Sequence, residues 1–130
     1  MPYEMQFEAN IGVRKRFFGL VTINDVIQSS TELHRLPQFS QLHYSINDFS
    51  EIDRFDFDSV MPSKIVDLSM ATFGAGSSNP KFRILVVNQN PRLDALVHRY
   101  MVISGNTWPV AFFQTLGAAR EWAQMACTSE

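Results

Sequence analysis

The sequence predicts a single-domain α/β protein spanning residues 1–130. Segments in which apolar and polar residues alternate are interleaved with segments that repeat at helical spacing, a pattern typical of strands joined by crossover helices. A chain of 130 residues with 45% apolar residues is long enough to bury one sizeable core. The single cysteine excludes an intrachain disulfide, and the 12% aromatic content argues against a disordered chain.

The first two elements are predicted strands that form a hairpin. Apolar residues alternate with polar ones over residues 3–9, which is the period of a half-buried strand. Turn-forming residues at 10–12 separate this strand from a second apolar-rich run over residues 13–20. Because the gap is short, the two strands are expected to be antiparallel.

A helix and a third strand are predicted next. Thr22 is a suitable N-cap, and Asp25 places a carboxylate near the positive end of the helix dipole. The helix is expected to end near Leu36, because the residue before a proline avoids the helical conformation. Apolar and polar residues alternate again over residues 41–49, which predicts the third strand.

The second half of the chain predicts three helices and two strands. These elements are a helix within residues 59–73, a loop at 74–80, a strand at 82–87, a helix starting at Asn90, a strand at 109–113 and a helix capped by Thr115. The near-continuous apolar run at 82–87 indicates a strand that is buried on both faces. The resulting order, ββαβαβαβα, predicts a mixed five-stranded sheet with an antiparallel edge strand and four helices.

Three segments carry a resemblance to a known family: residues 19–22 with Asp25, residues 82–87, and residues 110–113 followed by residues 118–122. Together with the order of elements, they resemble the STAS fold of bacterial anti-sigma-factor antagonists, and more closely the SpoIIAA-like group. The resemblance covers nearly the whole chain. It implies a STAS/SpoIIAA-like fold. Together with the absence of a catalytic constellation in the sequence, it predicts a non-enzymatic binding or regulatory module.

In that family a phosphorylatable serine lies in an Asp-x-Ser-Gly-like turn at the start of the helix after strand three. The resembling turn in this sequence consists of Asp48, Phe49, Ser50 and Glu51, so a glutamate stands at the glycine position. A phosphate on Ser50 would meet the negative charges of Asp48 and Glu51, which argues against a phosphate switch. Asp48, Ser50 and Glu51 remain the predicted partner-binding surface.

Other motifs are predicted to be structural. The acidic run over residues 48–58 lacks the glycine and the spacing of a calcium loop, and is expected to be a solvated loop in which Asp58 or Ser59 caps the next helix. The glycines at 74–76 follow a helix, whereas a phosphate-binding loop follows a strand. The three histidines and Cys127 lack metal-ligand spacing. We therefore expect no metal and no cofactor.

The alternative hypothesis is a carrier of a small apolar ligand. Met61, Met70 and Phe73 lie on the predicted second helix and offer an adaptable apolar surface. They are predicted to line a groove between that helix and the sheet, with residues 74–80 as a lid. The expected partner is thus a protein or a small apolar ligand.

Charge and hydropathy limit the remaining possibilities. The net charge of -2 argues against nucleic-acid binding, and the basic residues 14–16 are predicted to form a solvated strand edge. No apolar run is long enough to cross a membrane, and no signal peptide is visible. We expect a cytoplasmic monomer or homodimer.

Overall fold

Five strands form one mixed sheet with helices on both faces. The structure, a computed structural model, describes residues 2–9 and 11–127. The strands are β1 (Tyr3–Glu8), β2 (Gly12–Val21), β3 (Tyr44–Phe55), β4 (Arg83–Val87) and β5 (Val110–Phe113). The helices are α1 (Ile23–His34), α2 (Pro62–Gly76), α3 (Pro91–Ile103) and α4 (Leu116–Cys127), with short 3₁₀ turns at Pro37–Gln41 and Phe57–Ser59.

The strands lie in the sheet in the order of the sequence, β1-β2-β3-β4-β5. β1 and β2 are antiparallel, and every other neighbouring pair is parallel. Because successive parallel strands are neighbours and crossovers are right-handed, their connecting helices collect on one face. The predicted α/β class, the order of elements and the mixed five-stranded sheet with four helices are confirmed.

One face of the sheet carries α1, α2 and α3. Its buried side chains include Phe17, Phe49 and Val86 from the strands and Ile23, Ile65 and Leu93 from the three helices. The opposite face carries α4, with buried Tyr44, Ile46, Leu85 and Val87 against Ala119 and Ala123. Because successive side chains of β4 point to opposite faces, this strand is buried on both sides, as its apolar run predicts.

Local hydrogen bonds confirm the three predicted caps. The Thr22 hydroxyl accepts from the Asp25 amide at 3.3 Å, and the Asp25 carboxylate accepts from the Thr22 amide at 2.8 Å. The Asn90 side chain accepts from the amide of Arg92, and the Thr115 hydroxyl accepts from the amide at position 118. Each of these contacts spans two or three residues, so the sequence alone indicates it.

The boundaries of β3 and α2 differ from the prediction. β3 runs from Tyr44 to Phe55, not over residues 41–49, because it continues to pair with β2 after β4 has ended opposite Asp48. α2 continues to Gly76, so the first part of the predicted loop at 74–80 is helical. A Cβ at Gly76 would lie 2.8 Å from Cγ2 of Thr107, so the helix packs closely here.

Candidate functional site

A bulge in β3 brings acidic side chains next to the arginines of β2, on the α4 face of the sheet. Asp48 lies opposite Arg16, but Glu51 lies opposite Phe18, so β3 has one residue more than β2 between these pairs. An extra residue of this kind re-aims the side chains that follow it. As a result Asp48 and Glu51 both reach the arginines of β2.

Ion pairs then connect three strands. Arg14 contacts Asp48 at 2.6 Å and Glu51 at 3.3 Å. Arg16 contacts Glu51 at 3.5 Å and Glu4 of β1 at 3.2 Å. We call these five residues the charged ladder. Its Asp48 end is buried and its Glu4 and Glu51 side chains are half exposed, so the ladder links the interior to the surface.

Both carboxylate oxygens of Asp48 are occupied within the protein. Oδ2 accepts from Nε and Nη2 of Arg14 at 3.1 and 2.6 Å. Oδ1 accepts from the Ser50 amide at 3.0 Å and from the Ser50 hydroxyl at 2.6 Å. Burial raises the pKa of Asp48, but the bonds from Ser50 and Arg14 outweigh it and hold the pKa below its usual value. Asp48 is therefore ionised and orients its two neighbours.

The structure separates the predicted partner-binding residues into two layers. Asp48 is buried, whereas Ser50 and Glu51 are exposed above it. The expectation that residues 48–51 form a strand-to-helix turn is wrong, because they lie inside β3. The connection to α2 starts only at Asp56, after pairing with β2 ends.

The acidic segment after β3 caps a 3₁₀ turn and does not cap α2. The Asp56 side chain accepts from the amide of Asp58 at 3.1 Å. The Ser59 hydroxyl donates to the Asp56 carbonyl and accepts from the amide of Ile23. α2 begins after Met61 without a side-chain cap, so the expected cap at Asp58 or Ser59 is wrong.

The outer face of α2 exposes large apolar side chains. Met61, Met70 and Phe73 are 60%, 59% and 47% exposed, and Val66 is also exposed. Val66, Met70 and Phe73 are four and three residues apart, so they lie on one side of the helix. We call these three residues the α2 stripe. Val66 is not among the predicted groove residues, although its four-residue spacing to Met70 places the two on one side of a helix.

The inner face of α2 lines a cavity of about 80 Å³ between the sheet and helices α1 to α3. Ile65, Leu68 and Thr72 contribute to its wall from α2, whereas the three predicted groove residues are not among its lining residues. A space between α2 and the sheet is therefore present, but the opposite face of the helix forms it. Met70 and Phe73 lie with Val66 on the exposed side of α2, away from Ile65. Met61 is the N-cap residue that precedes the helix, so its predicted position on the second helix is wrong.

A buried lysine lies at the wall of this cavity. Lys15 of β2 is 2% exposed, and its ammonium donates to the Ser30 hydroxyl of α1 at 3.2 Å. Desolvation lowers the pKa of Lys15 to about 7, although the Glu32 carboxylate opposes the shift. Burial, and then the Lys15 ammonium, lower the pKa of His34 to about 4, so His34 is neutral at pH 7.

The buried position of Lys15 differs from the prediction. The expectation that residues 14–16 form a solvated edge is wrong, because β2 lies between β1 and β3. The signal is present in the alternation of β2, which places Lys15 on the same face as Val13 and Phe17, both fully buried.

Solved structures share this arrangement of strands and helices. The anti-sigma factor antagonist SpoIIAA, in its unphosphorylated form, matches with a TM-score of 0.60 at 15% identity, over 94% of this chain and 97% of that chain. An uncharacterized DUF3478-family protein from Shewanella loihica PV-4, with a SpoIIAA-like fold, matches with a TM-score of 0.53 at 13% identity, over 92% and 90%. No family model and no curated protein matches the sequence.

This chain has the SpoIIAA-like fold. The expectation of a STAS/SpoIIAA-like fold is thereby confirmed. At such identities the likeness concerns the fold alone, so function is argued from the surfaces and the cavity.

Within the SpoIIAA-like fold, the segment after α2 closes one end of the core. The Asn79 side chain is fully buried and donates to the carbonyls of Phe39 and Leu42 at 2.7 and 2.8 Å. The Asn79 carbonyl accepts from the indole of Trp108 at 2.9 Å. Residues 74–80 are thus anchored by buried hydrogen bonds, which contradicts the hypothesis of a lid.

Neither a metal-ion cluster nor a membrane-spanning helix is found in the part of the SpoIIAA-like fold that the structure describes. Among residues 2–9 and 11–127, no three His, Cys, Asp or Glu side chains are grouped so that they could hold a metal ion. No helix within the same ranges has the length and apolar character that a bilayer crossing requires. His34 and His98 instead pack against the rings of Trp108 and Phe112.

Proposed function

We propose that the chain is a non-enzymatic regulatory module that binds a protein partner. The observation that carries the proposal is the α2 stripe, in which three large apolar side chains are exposed on one side of a helix. Clustered exposed apolar side chains mark sites of protein contact more often than single ones. One solved structure of the same fold is that of an anti-sigma factor antagonist, which supports a protein as the partner class.

The occupant of the α2 stripe is proposed to be an amphipathic helix of the partner. Val66 and Phe73 are seven residues apart, which is about 10 Å along the helix axis. That length matches the apolar anchors on two turns of a second helix. Met70 lies between them, and its flexible thioether adapts to the side chains that it meets.

Ser50 and Glu51 are proposed as a second, polar contact. Glu51 is half exposed and already pairs with two arginines, so a partner would meet an ordered carboxylate. The Ser50 hydroxyl is oriented by its bond to Asp48. These residues lie on the α4 face and the α2 stripe lies on the other, so each contact needs its own test.

Site-specific photo-crosslinking tests the α2 stripe. A benzoylphenylalanine replaces Phe73, which is 47% exposed, and the matched control replaces Phe7, which is 48% exposed on β1. In cells that naturally make the protein, we expect a discrete protein adduct at position 73 and none at position 7. Val66→Asp with Met70→Asp should abolish the adduct.

The outcome separates the proposed surfaces. The same adducts at both positions, or no adduct at position 73, would contradict docking at the α2 stripe. Once the partner is identified, Glu51→Gln should weaken its binding to the purified chain several-fold. An unchanged affinity would remove Ser50 and Glu51 from the interface and leave the stripe alone.

The cavity favours a second candidate function, that of a carrier for a small ligand between α2 and the sheet. Most of its lining residues are apolar, as in small-molecule sites generally. An engineered cavity of about 150 Å³ holds benzene, so a space of about 80 Å³ suits a molecule of roughly three to five heavy atoms.

A further inference from the structure

The ammonium of Lys15 is buried without a counterion. None of the ion pairs among the described residues includes Lys15, and its hydrogen bond to Ser30 is with a neutral hydroxyl. Glu32 attracts it only from beyond ion-pairing distance. A buried charge is stabilised when it is paired, and breaking such a pair is strongly unfavourable. The nitrogen of Lys15 therefore lies buried where an anion would supply the missing counterion and would favour the protonated form of the lysine.

Lys15 lies at a polar end of the cavity. Lys15, Ser30, Ser45 and Asn47 all line the cavity, and Lys15 lies directly opposite Asn47 on the neighbouring strand. The Asn47 amide donates to the Ser45 hydroxyl at 3.2 Å, which leaves the hydroxyl proton of Ser45 available to an acceptor. None of the lining residues is acidic.

The rest of the cavity wall is largely apolar. Ile65 and Leu68 of α2 and Val86 of β4 lie on it, with Leu93 and Leu96 of α3. A ligand that fits both parts carries one negative charge at one end and a short hydrocarbon at the other. Phosphate and sulfate lack the hydrocarbon, and a neutral alkane lacks the charge.

We propose that the cavity binds a short-chain monocarboxylate of the size of acetate or propionate. Its carboxylate accepts hydrogen bonds from the ammonium of Lys15 and from the hydroxyls of Ser30 and Ser45. Its alkyl group lies against the apolar wall that α2 provides. This inference rests on the second candidate function, since it names the ligand class of the cavity, and it is independent of the α2 stripe.

Amide NMR on the full chain tests the proposal. The ¹⁵N-labelled protein is titrated with sodium propionate, with sodium chloride at equal ionic strength and with 1-propanol, a neutral molecule of similar size. We expect sodium propionate, but not sodium chloride, to give saturable changes in the amide chemical shifts of Ser30, Ser45 and Asn47. Lys15→Met should reduce propionate affinity at least tenfold, whereas the matched control Lys64→Met, on the surface of α2, should bind as the native chain does.

Each result is decisive. Equal propionate affinity in Lys15→Met, or shifts that never saturate, overturns the proposal. Saturable shifts with propanol but not with propionate overturn the proposal of a carboxylate ligand and leave the carrier function standing. If neither molecule gives saturable shifts, the carboxylate ligand and the carrier function are both overturned. If Lys15→Met gives the spectrum of an unfolded chain, Ser45→Ala replaces it, and loss of propionate affinity in that variant supports the proposal, whereas native affinity overturns it.

Discussion

The Ser50 hydroxyl donates a 2.6 Å hydrogen bond to Oδ1 of Asp48, two residues earlier on the same strand. Ser50 lies in the bulge between Asp48 and Glu51, and the extra residue there keeps Glu51 on the same face as Asp48. The exposed serine is thus oriented by a buried carboxylate, which Arg14 holds from the neighbouring strand.

Asp48→Asn should destabilise the fold by about 3 kcal/mol, because it removes the buried carboxylate that pairs with Arg14 and leaves this largely buried cation only the half-exposed Glu51. Glu51→Gln is the matched control, since its side chain is half exposed and it should change stability by less than about 1 kcal/mol. Urea unfolding of both variants at pH 7 measures the difference. If both variants lose the same unfolding free energy, the burial of Asp48 does not determine how much the charged ladder stabilises the fold.

Lys15→Met should make the protein more stable at neutral and acidic pH. The folded pKa of about 7 lies below the ordinary 10.5, so between these values the unfolded chain binds a proton that the folded chain does not. Native stability therefore rises with pH over that window, by about 5 kcal/mol at about 1.4 kcal/mol per pH unit.

The variant lacks this titration, so its stability should change far less between pH 7 and pH 10. Chemical denaturation at pH 6, 8 and 10 gives the comparison, with Lys64→Met as the control that should retain the native pH dependence. A native chain whose stability stays constant over this range would contradict a buried, destabilised ammonium.

His34 should remain neutral until the pH approaches 4. Because its folded pKa of about 4 lies below the ordinary 6.5, the unfolded chain binds the proton first, and stability is lost as the pH falls from about 6.5 to about 4. An NMR titration of the imidazole measures this pKa directly. In Lys15→Met it should rise but stay below 6.5, since burial, the larger cause, is unchanged. An unaltered pKa would mean that Lys15 does not act on this histidine.

Gly12→Ala should destabilise the protein by about 1–3 kcal/mol, the usual range for overpacking. A Cβ at Gly12 would lie 2.1 Å from Cζ of Tyr44, whose ring is buried under α4. The matched control is Gly117→Ala in α4, where nothing lies within 4 Å of the new Cβ and alanine favours the helix. Thermal unfolding should show a lower Tm for the first variant and an equal or higher Tm for the second.

Local interactions explain what the sequence by itself determined. The class, the order of strands and helices and the caps at Thr22, Asn90 and Thr115 depend on periodicity or on contacts between residues a few positions apart. Such contacts join residues that are close in sequence, so the local pattern is enough to indicate them. For the same reason the alternation of β2 already indicates the face on which Lys15 lies.

Only the tertiary structure decided the length of β3, because its second half depends on pairing with β2, more than thirty positions away. The ion pair between Arg14 and Asp48, separated by 34 positions, has the same origin. Packing also decided which side of α2 faces the sheet, so Ile65 lines the cavity and Met70 does not. The partners in pairing and packing are distant in sequence, so no local pattern identifies them.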